Sequence, residues 1–204
     1  MKNPEQLEQR WPSLAALTGT ILFGLVIGLT AGKHELWFDE AQAWLLVRDL
    51  APADLLLHYL RYEGHPSLWY LVLLFPVKLG MPYSWLPAIP VACAIFTAWW
   101  ILRNAPFPSF ITWMLPFGYF FLFQYGIIAR NYVLIPPILL MLAHYYPSRT
   151  ARPVAYLTLV TLLMHTSLHG TVMAMGFAAA GFLQTVRGHL QSEQKVFARY
   201  MLGV

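Results

Sequence analysis

The chain is a succession of apolar runs separated by short polar stretches, and the first run, Leu14–Ala31, extends 18 residues without a charge. Further apolar segments lie at about 67–80, 84–102, 109–128, 132–146, 154–165 and 171–186. A transmembrane helix needs about 20 apolar residues, with about 17 near the lower end. The segments after Asn131 are therefore short but extendable, and 67–80 is marginal. The pattern predicts an all-α integral membrane protein.

Charge chooses among the topologies. If 67–80 lies at the interface and the N-terminus is cytoplasmic, then Lys2, Arg10, Arg103, Arg149, Arg152, Arg187, Lys195 and Arg199 fall inside, eight of the 13 basic residues. If that segment crosses, only Lys2, Arg10, Lys78 and Arg130 remain inside. The positive-inside rule is strongest for short loops such as the one holding Arg149 and Arg152, and it favours the first arrangement. The expectation is about six spans, with a large first outer loop at 32–83 carrying interfacial juxtamembrane helices.

Composition agrees with this class. With 58% hydrophobic residues, 11% charged and a mean hydropathy of +0.55, the chain has too little polar surface to cover a soluble globule. The net charge of +4 is scattered, which reads as topology signals and gives no nucleic-acid footprint. Cys93, the single cysteine, sits in an apolar run and reads as packing. The first run is longer than a signal-peptide core, and Glu5 and Glu8 dilute the preceding basic charge, so a retained anchor is expected.

The outer loop contains Trp37, Trp44, Trp69 and many leucines, and should lie along the membrane surface. Asp39 followed by Gln42 suggests a capping box opening one helix. Pro52 should end that helix before a second begins at Asp54, and Pro66 should start a third, more deeply embedded one. The loop with Arg130, the pair His165 and His169, and the acidic loop then share one outer face.

Carboxylates are concentrated in that loop. Glu35, Asp39, Glu40, Asp49, Asp54 and Glu63 are six of the nine acids, and none lies between Gly64 and Ser192. In WFDEAQAW, residues 37–44, Asp39 and Glu40 read either as a helix cap with a dipole-favoured neighbour or as a general base or metal site. Desolvation by Trp37, Phe38 and Trp44 would raise a carboxylate pKa towards the range for proton abstraction. In EGHPSLW, residues 63–69, His65 precedes a helix start that favours an anion, or is simply a solvated loop residue. Glu63 is expected to pair with Arg61 or Lys33. Arg130, in IIARNYVL, suits a phosphate or snorkels at the interface, and Tyr132 beside it is a belt residue or a ligand contact. His165 and His169 are spaced i and i+4, but the expected interhelical turn falls between them and no HExxH glutamate is present. Substrate contact therefore suits them better than a metal. His58 and His144 read as interfacial fillers, and Ser84 lacks a nucleophile-elbow context.

At these residues the chain resembles the GT-C superfamily of membrane glycosyltransferases, particularly bacterial proteins related to family 39 protein mannosyltransferases and to aminoarabinose transferases. The resemblance rests on the order Asp39-Glu40, His65-Pro66-Ser67-Leu68-Trp69 and Ala129-Arg130-Asn131-Tyr132, with Ser67 where a second proline is common and Trp69 where a tyrosine is common. It covers most of residues 14–187, flanked by a cytoplasmic segment 1–13 and a tail 188–204 that ends the chain or opens a C-terminal region. Family members are usually several hundred residues long, so this chain looks like their N-terminal module. The resemblance implies a multi-pass protein of the bacterial inner membrane, part of the cell-envelope machinery. It implies transfer of a sugar, with inversion, from a polyprenyl-phosphate donor to a protein, lipid or glycan acceptor on the outer face. It assigns the base to Asp39, an assisting or metal-binding role to Glu40, a phosphate contact to His65 and a structural or phosphate-contacting role to Arg130, with no certain cofactor and a divalent metal left open. The alternative is a catalytically silent scaffold, or a subunit completed by a partner chain.

Overall fold

The computed structural model describes residues 13–202, and every regular element among them is helical. The expected N-terminal segment falls outside the described residues except for Ser13. The α-helices are α1 Ser13–Ala31, α2 Phe38–Asp49, α3 Pro52–Asp54, α4 Leu60–Glu63, α5 Leu68–Lys78, α6 Ala88–Asn104, α7 Ser109–Met114, α8 Ile135–Tyr145, α9 Pro153–Met164 and α10 Leu168–Leu202. Two stretches, Leu14–Ala31 and Tyr83–Asn104, are helices long and apolar enough to cross a membrane. They pack on each other. On α1, Ala16, Phe23, Ile27 and Ala31 are buried at helical spacing, while Leu14, Leu17, Ile21, Leu25 and Leu29 face outward. Phe23, Ile27, Ala94, Ala98 and Ile127 form the core between them.

The segment 109–128, read from its hydropathy as one span, is not one helix. It comprises α7, a 3-10 turn at Leu115–Phe117, a π-helical turn at Phe120–Gln124, and an irregular stretch leading to Arg130. Pro116 removes a helical donor, and hydropathy alone does not register such a break. Gly126 sits where the chain doubles back: a Cβ there would lie 2.5 Å from both Ile27 Cδ1 and the Phe121 carbonyl oxygen. Residues Gly126 to Ala129 are buried, so this non-helical backbone is enclosed by protein. After a 3-10 turn at Asn131–Leu134, α8, α9 and α10 pack in succession around Ile135, Leu142, Tyr156, Leu159, Val160, Leu163 and Ala174. The predicted tail at 188–204 continues the helix of α10 as far as Leu202.

The stretch 32–83 folds as a helical lobe. Its first helix opens two residues earlier than expected: Trp37 is the N-cap of α2, and Glu40 accepts the Trp37 backbone N–H at 2.7 Å. Asp39 is therefore not the cap. Pro52 starts the second helix, two residues before the expected Asp54, because proline is best placed at a first helical position. That helix passes through a π-helical turn at Leu55–Tyr59 into α4, which ends on Gly64 at φ 67°, a conformation that favours glycine. Pro66 lies just ahead of α5, whose N-cap is Ser67. Helix α5 spans 11 residues, about 16 Å, far short of the hydrocarbon thickness.

Helices α2 and α5 lie side by side in the same direction. Near their N-terminal ends Gln42 and Tyr70 both reach Glu63, and at their C-terminal ends the Lys78 ammonium donates to the carbonyls of Arg48 and Leu50 at 3.1 and 2.8 Å. Trp44, Val47, Leu55, Trp69, Leu73, Leu86, Ala129 and Val133 form their shared core. The outer surface of this lobe exposes Phe38, Leu57, Tyr59, Tyr62, Phe75 and Leu79.

Candidate functional site

Helix α2 presents two faces to two tasks. Glu40, Trp44 and Val47, at spacings of four and three, point into the core, whereas Asp39, Gln42 and Ala43 line a cleft. The other cleft walls are Glu63 from the end of α4 and His65 from the turn after it, Trp69 and Tyr70 from the first turn of α5, and Arg130 and Asn131 from the segment before α8. Three stretches distant in sequence thus meet in a cleft of about 110 Å³. Pockets for drug-sized ligands run to about 300–1,000 Å³, so this one suits a single small polar group.

The neighbouring acids Asp39 and Glu40 meet the neighbouring residues Arg130 and Ala129. Glu40 is fully buried, and its carboxylate accepts the backbone N–H groups of Trp37 at 2.7 Å and Ala129 at 2.6 Å, with His34 Nε2 at 2.9 Å. A carboxylate that takes two backbone donors and an imidazole acts as a strut between α2 and the segment before Arg130. Asp39, one residue away and half exposed, forms an ion pair with the Arg130 guanidinium, which is 20% exposed. The strut sets the distance across which this pair forms.

Glu63 makes neither expected ion pair with Arg61 or Lys33. Both its oxygens accept from Gln42 Nε2 at 3.0 Å, and one accepts the Tyr70 hydroxyl at 3.0 Å. Arg61 instead lies over the Tyr62 ring. Burial, and then the negative charge of Glu63, push the Tyr70 phenol far above its usual range, so it stays protonated and donates. Asn131 is buried and donates to the Thr166 carbonyl at 2.9 Å.

Asp39, His65 and Arg130 lie together in the cleft, while Glu40 stands behind it. Tyr132 packs its ring against Tyr125 and accepts from Gln124 Nε2 at 3.2 Å outside the cleft lining. His165 and His169 are exposed and flank the turn between α9 and α10, so they do not share a continuous helix. His165 supports the site's rim: its carbonyl accepts the Leu68 N–H at 3.2 Å, and its Nδ1 lies 3.5 Å from Ser67 Oγ. Gln42, Glu63, Trp69, Tyr70 and Asn131 also line the cleft without having been picked out as site residues. Their only local signals were the i+3 spacing of Gln42 from Asp39 and the adjacency of the others to His65 and Arg130. For a divalent cation the donor set fits poorly. Asp39 and Glu63 are each engaged by side chains of the protein, and no three His, Cys, Asp or Glu residues cluster among the described residues.

No protein-family model, curated protein or solved structure matches the chain.

Proposed function

We propose that the chain is a membrane glycosyltransferase that moves a sugar from a polyprenyl-phosphate donor to an acceptor hydroxyl at the outer membrane surface. The observation that carries this reading is the cleft itself. A half-exposed carboxylate, an arginine and a histidine, from segments around residues 39, 65 and 130, converge in a chain that also carries two helices long and apolar enough to cross a bilayer. In the reaction Asp39 takes the acceptor O–H proton. The acceptor oxygen forms a bond to the anomeric carbon from the face opposite the phosphate. The bond from that carbon to the phosphate oxygen breaks, and its electron pair leaves with the polyprenyl phosphate. Arg130 and His65 face the charge that develops on that oxygen. One displacement inverts the configuration.

In this reading six segments cross the bacterial inner membrane, with the N-terminus inside and the α2–α5 lobe lying at the outer interface. The exposed aromatic and leucine side chains of that lobe suit headgroup depth. The enclosed backbone at Gly126 to Ala129 meets the condition under which irregular chain is tolerated in a bilayer. The test is transfer of labelled sugar from polyprenyl-phosphate donors in membranes containing the chain. Asp39→Asn is expected to lose transfer while the protein stays folded, and unchanged transfer in that variant would exclude Asp39 as the base.

One observation favours a second reading. Asp39 is already neutralised by Arg130, as in a purely architectural ion pair, and a silent scaffold completed by a partner chain would keep that pair without using it. Assembly with a partner that survives Asp39→Asn, in a folded chain that transfers no sugar from any donor, would support it.

A further inference from the structure

His34 lies outside the cleft lining, yet it is held from both sides. Its backbone N–H donates to the carbonyl of Ala31, the last residue of α1, at 3.2 Å. Its side chain is 7% exposed and meets the rings of Trp37 and Phe123 edge-on. Nε2 stands 2.9 Å from Glu40 Oε2. An ionised carboxylate only accepts, so the imidazole nitrogen facing Glu40 is the one that carries the proton.

The two oxygens of Glu40 divide their partners. Oε2 receives the Trp37 N–H and the imidazole, and Oε1 receives the Ala129 N–H at 2.6 Å. Two donors on one oxygen fix the rotation of the carboxyl group, which aims the other oxygen at Ala129. Ala129 is the centre of a three-residue turn in which the Arg130 N–H donates to the Ile128 carbonyl at 2.9 Å. Holding the N–H at the centre of that turn sets the direction in which Arg130 leaves it. The same segment packs at Gly126 against Ile27 of α1. Helix α1 thus reaches the segment before Arg130 twice, through an apolar contact at Ile27 and a polar one at His34.

Resting on the reading of this cleft as the transferase site, we infer that His34 is a positioning residue. It touches no substrate. Its Nε2–H holds the Glu40 carboxylate in the rotation that keeps Arg130 opposite Asp39, and through it the placement of α1 is carried into the cleft.

The experiment compares three variants of the full chain in lipid nanodiscs. His34→Phe keeps a ring without a donor, and His34→Asn carries its amide one bond short of Glu40. His34→Gln places a donor nitrogen the same number of bonds from the backbone as the imidazole Nε2. With ¹³C-carbonyl isoleucine and ¹⁵N-alanine, Ile128–Ala129, the only Ile-Ala step in the sequence, gives a single amide resonance. Its hydrogen-exchange protection is expected to fall about tenfold in His34→Phe and His34→Asn, and to return to within about twofold of wild type in His34→Gln. Transfer of labelled sugar should follow the same order, with kcat down about tenfold in the two donorless variants and the donor KM within about threefold. A donorless variant that does not fold is replaced by the other. Unchanged protection at Ala129 in the donorless variants would overturn the inference, and so would an equal loss in His34→Gln, since His34 would then act by packing alone. Undiminished transfer in the donorless variants would overturn it while leaving the transferase reading intact. The expected exchange pattern in a chain whose wild type transfers no sugar would remove the transferase reading and leave the hold of His34 on the Arg130 segment standing.

Discussion

Arg130 and Arg149 are held in opposite ways, and the contrast shows what the confinement of acids to residues 35–63 does to the molecule. Arg130 meets the carboxylate of Asp39 in a cleft braced by Glu40. Arg149, in the turn between α8 and α9, pairs with no acid among the described residues. It donates to the Tyr146 carbonyl at 2.9 Å and to Gln184 Oε1 at 2.7 Å, and its guanidinium lies 4.5 Å from the Tyr146 ring centroid. The cleft is therefore organised by paired charges that another charged or polar group can enter. The α8–α9 turn is organised by a cation resting on neutral groups, with its Nε buried and without an acceptor.

The sharpest way to break the contrast is at Glu40. Glu40→Ala leaves the buried Ala129 N–H and the part-buried Trp37 N–H without acceptors, at about 1–3 kcal/mol each. Denaturant unfolding in detergent should show a loss of roughly 2–6 kcal/mol. Glu40→Gln, which keeps one acceptor oxygen, should lose less. Next in size is Gly126→Ala, whose methyl group meets the Phe121 carbonyl and Ile27. A loss of about 1–3 kcal/mol in the same measurement is expected from overpacking. If Gly126→Ala proved as stable as wild type, the doubled-back segment that delivers Arg130 would be wrongly placed.

A smaller effect separates the two arginines directly. A double-mutant cycle between Asp39→Ala and Arg130→Ala should give a coupling of about 0.5–1 kcal/mol, since both groups are partly exposed, and it should shrink at high salt. The smallest change is expected from Arg149→Met, within about 1 kcal/mol and insensitive to salt, because only neutral partners are lost. A salt-dependent Arg149 would erase the distinction between the two regions.

The all-helical class, the apolar runs of α1 and α6, the helices within 32–83 and the turn between His165 and His169 were legible from the chain alone, because each leaves a local signature in hydropathy, proline placement or spacing. What escaped depends on partners distant in sequence. Glu40 read as the dipole-favoured neighbour of a helix cap or as half of a base or metal site, yet it is buried as the acceptor of a backbone N–H at Ala129. The cap moved from Asp39 to Trp37 because the chain there is positioned by Glu40. Glu63 turned to Gln42 and Tyr70, since α2 and α5 run side by side, a fact that no local pattern encodes. The run 109–128 carries the hydropathy of a span, but Pro116 and the close packing at Gly126 divide it.

The measurement that tests the central claim most directly is a charge swap across the cleft, Asp39→Arg combined with Arg130→Asp, read by thermal stability and by transfer of labelled sugar in the same membranes. The swap keeps an ion pair between the two segments but moves the carboxylate away from its place on α2. Stability near that of wild type with transfer abolished is the predicted result, because pairing then survives and the base does not. Stability and transfer both retained would contradict the account, since Asp39 would then serve only as the partner of Arg130.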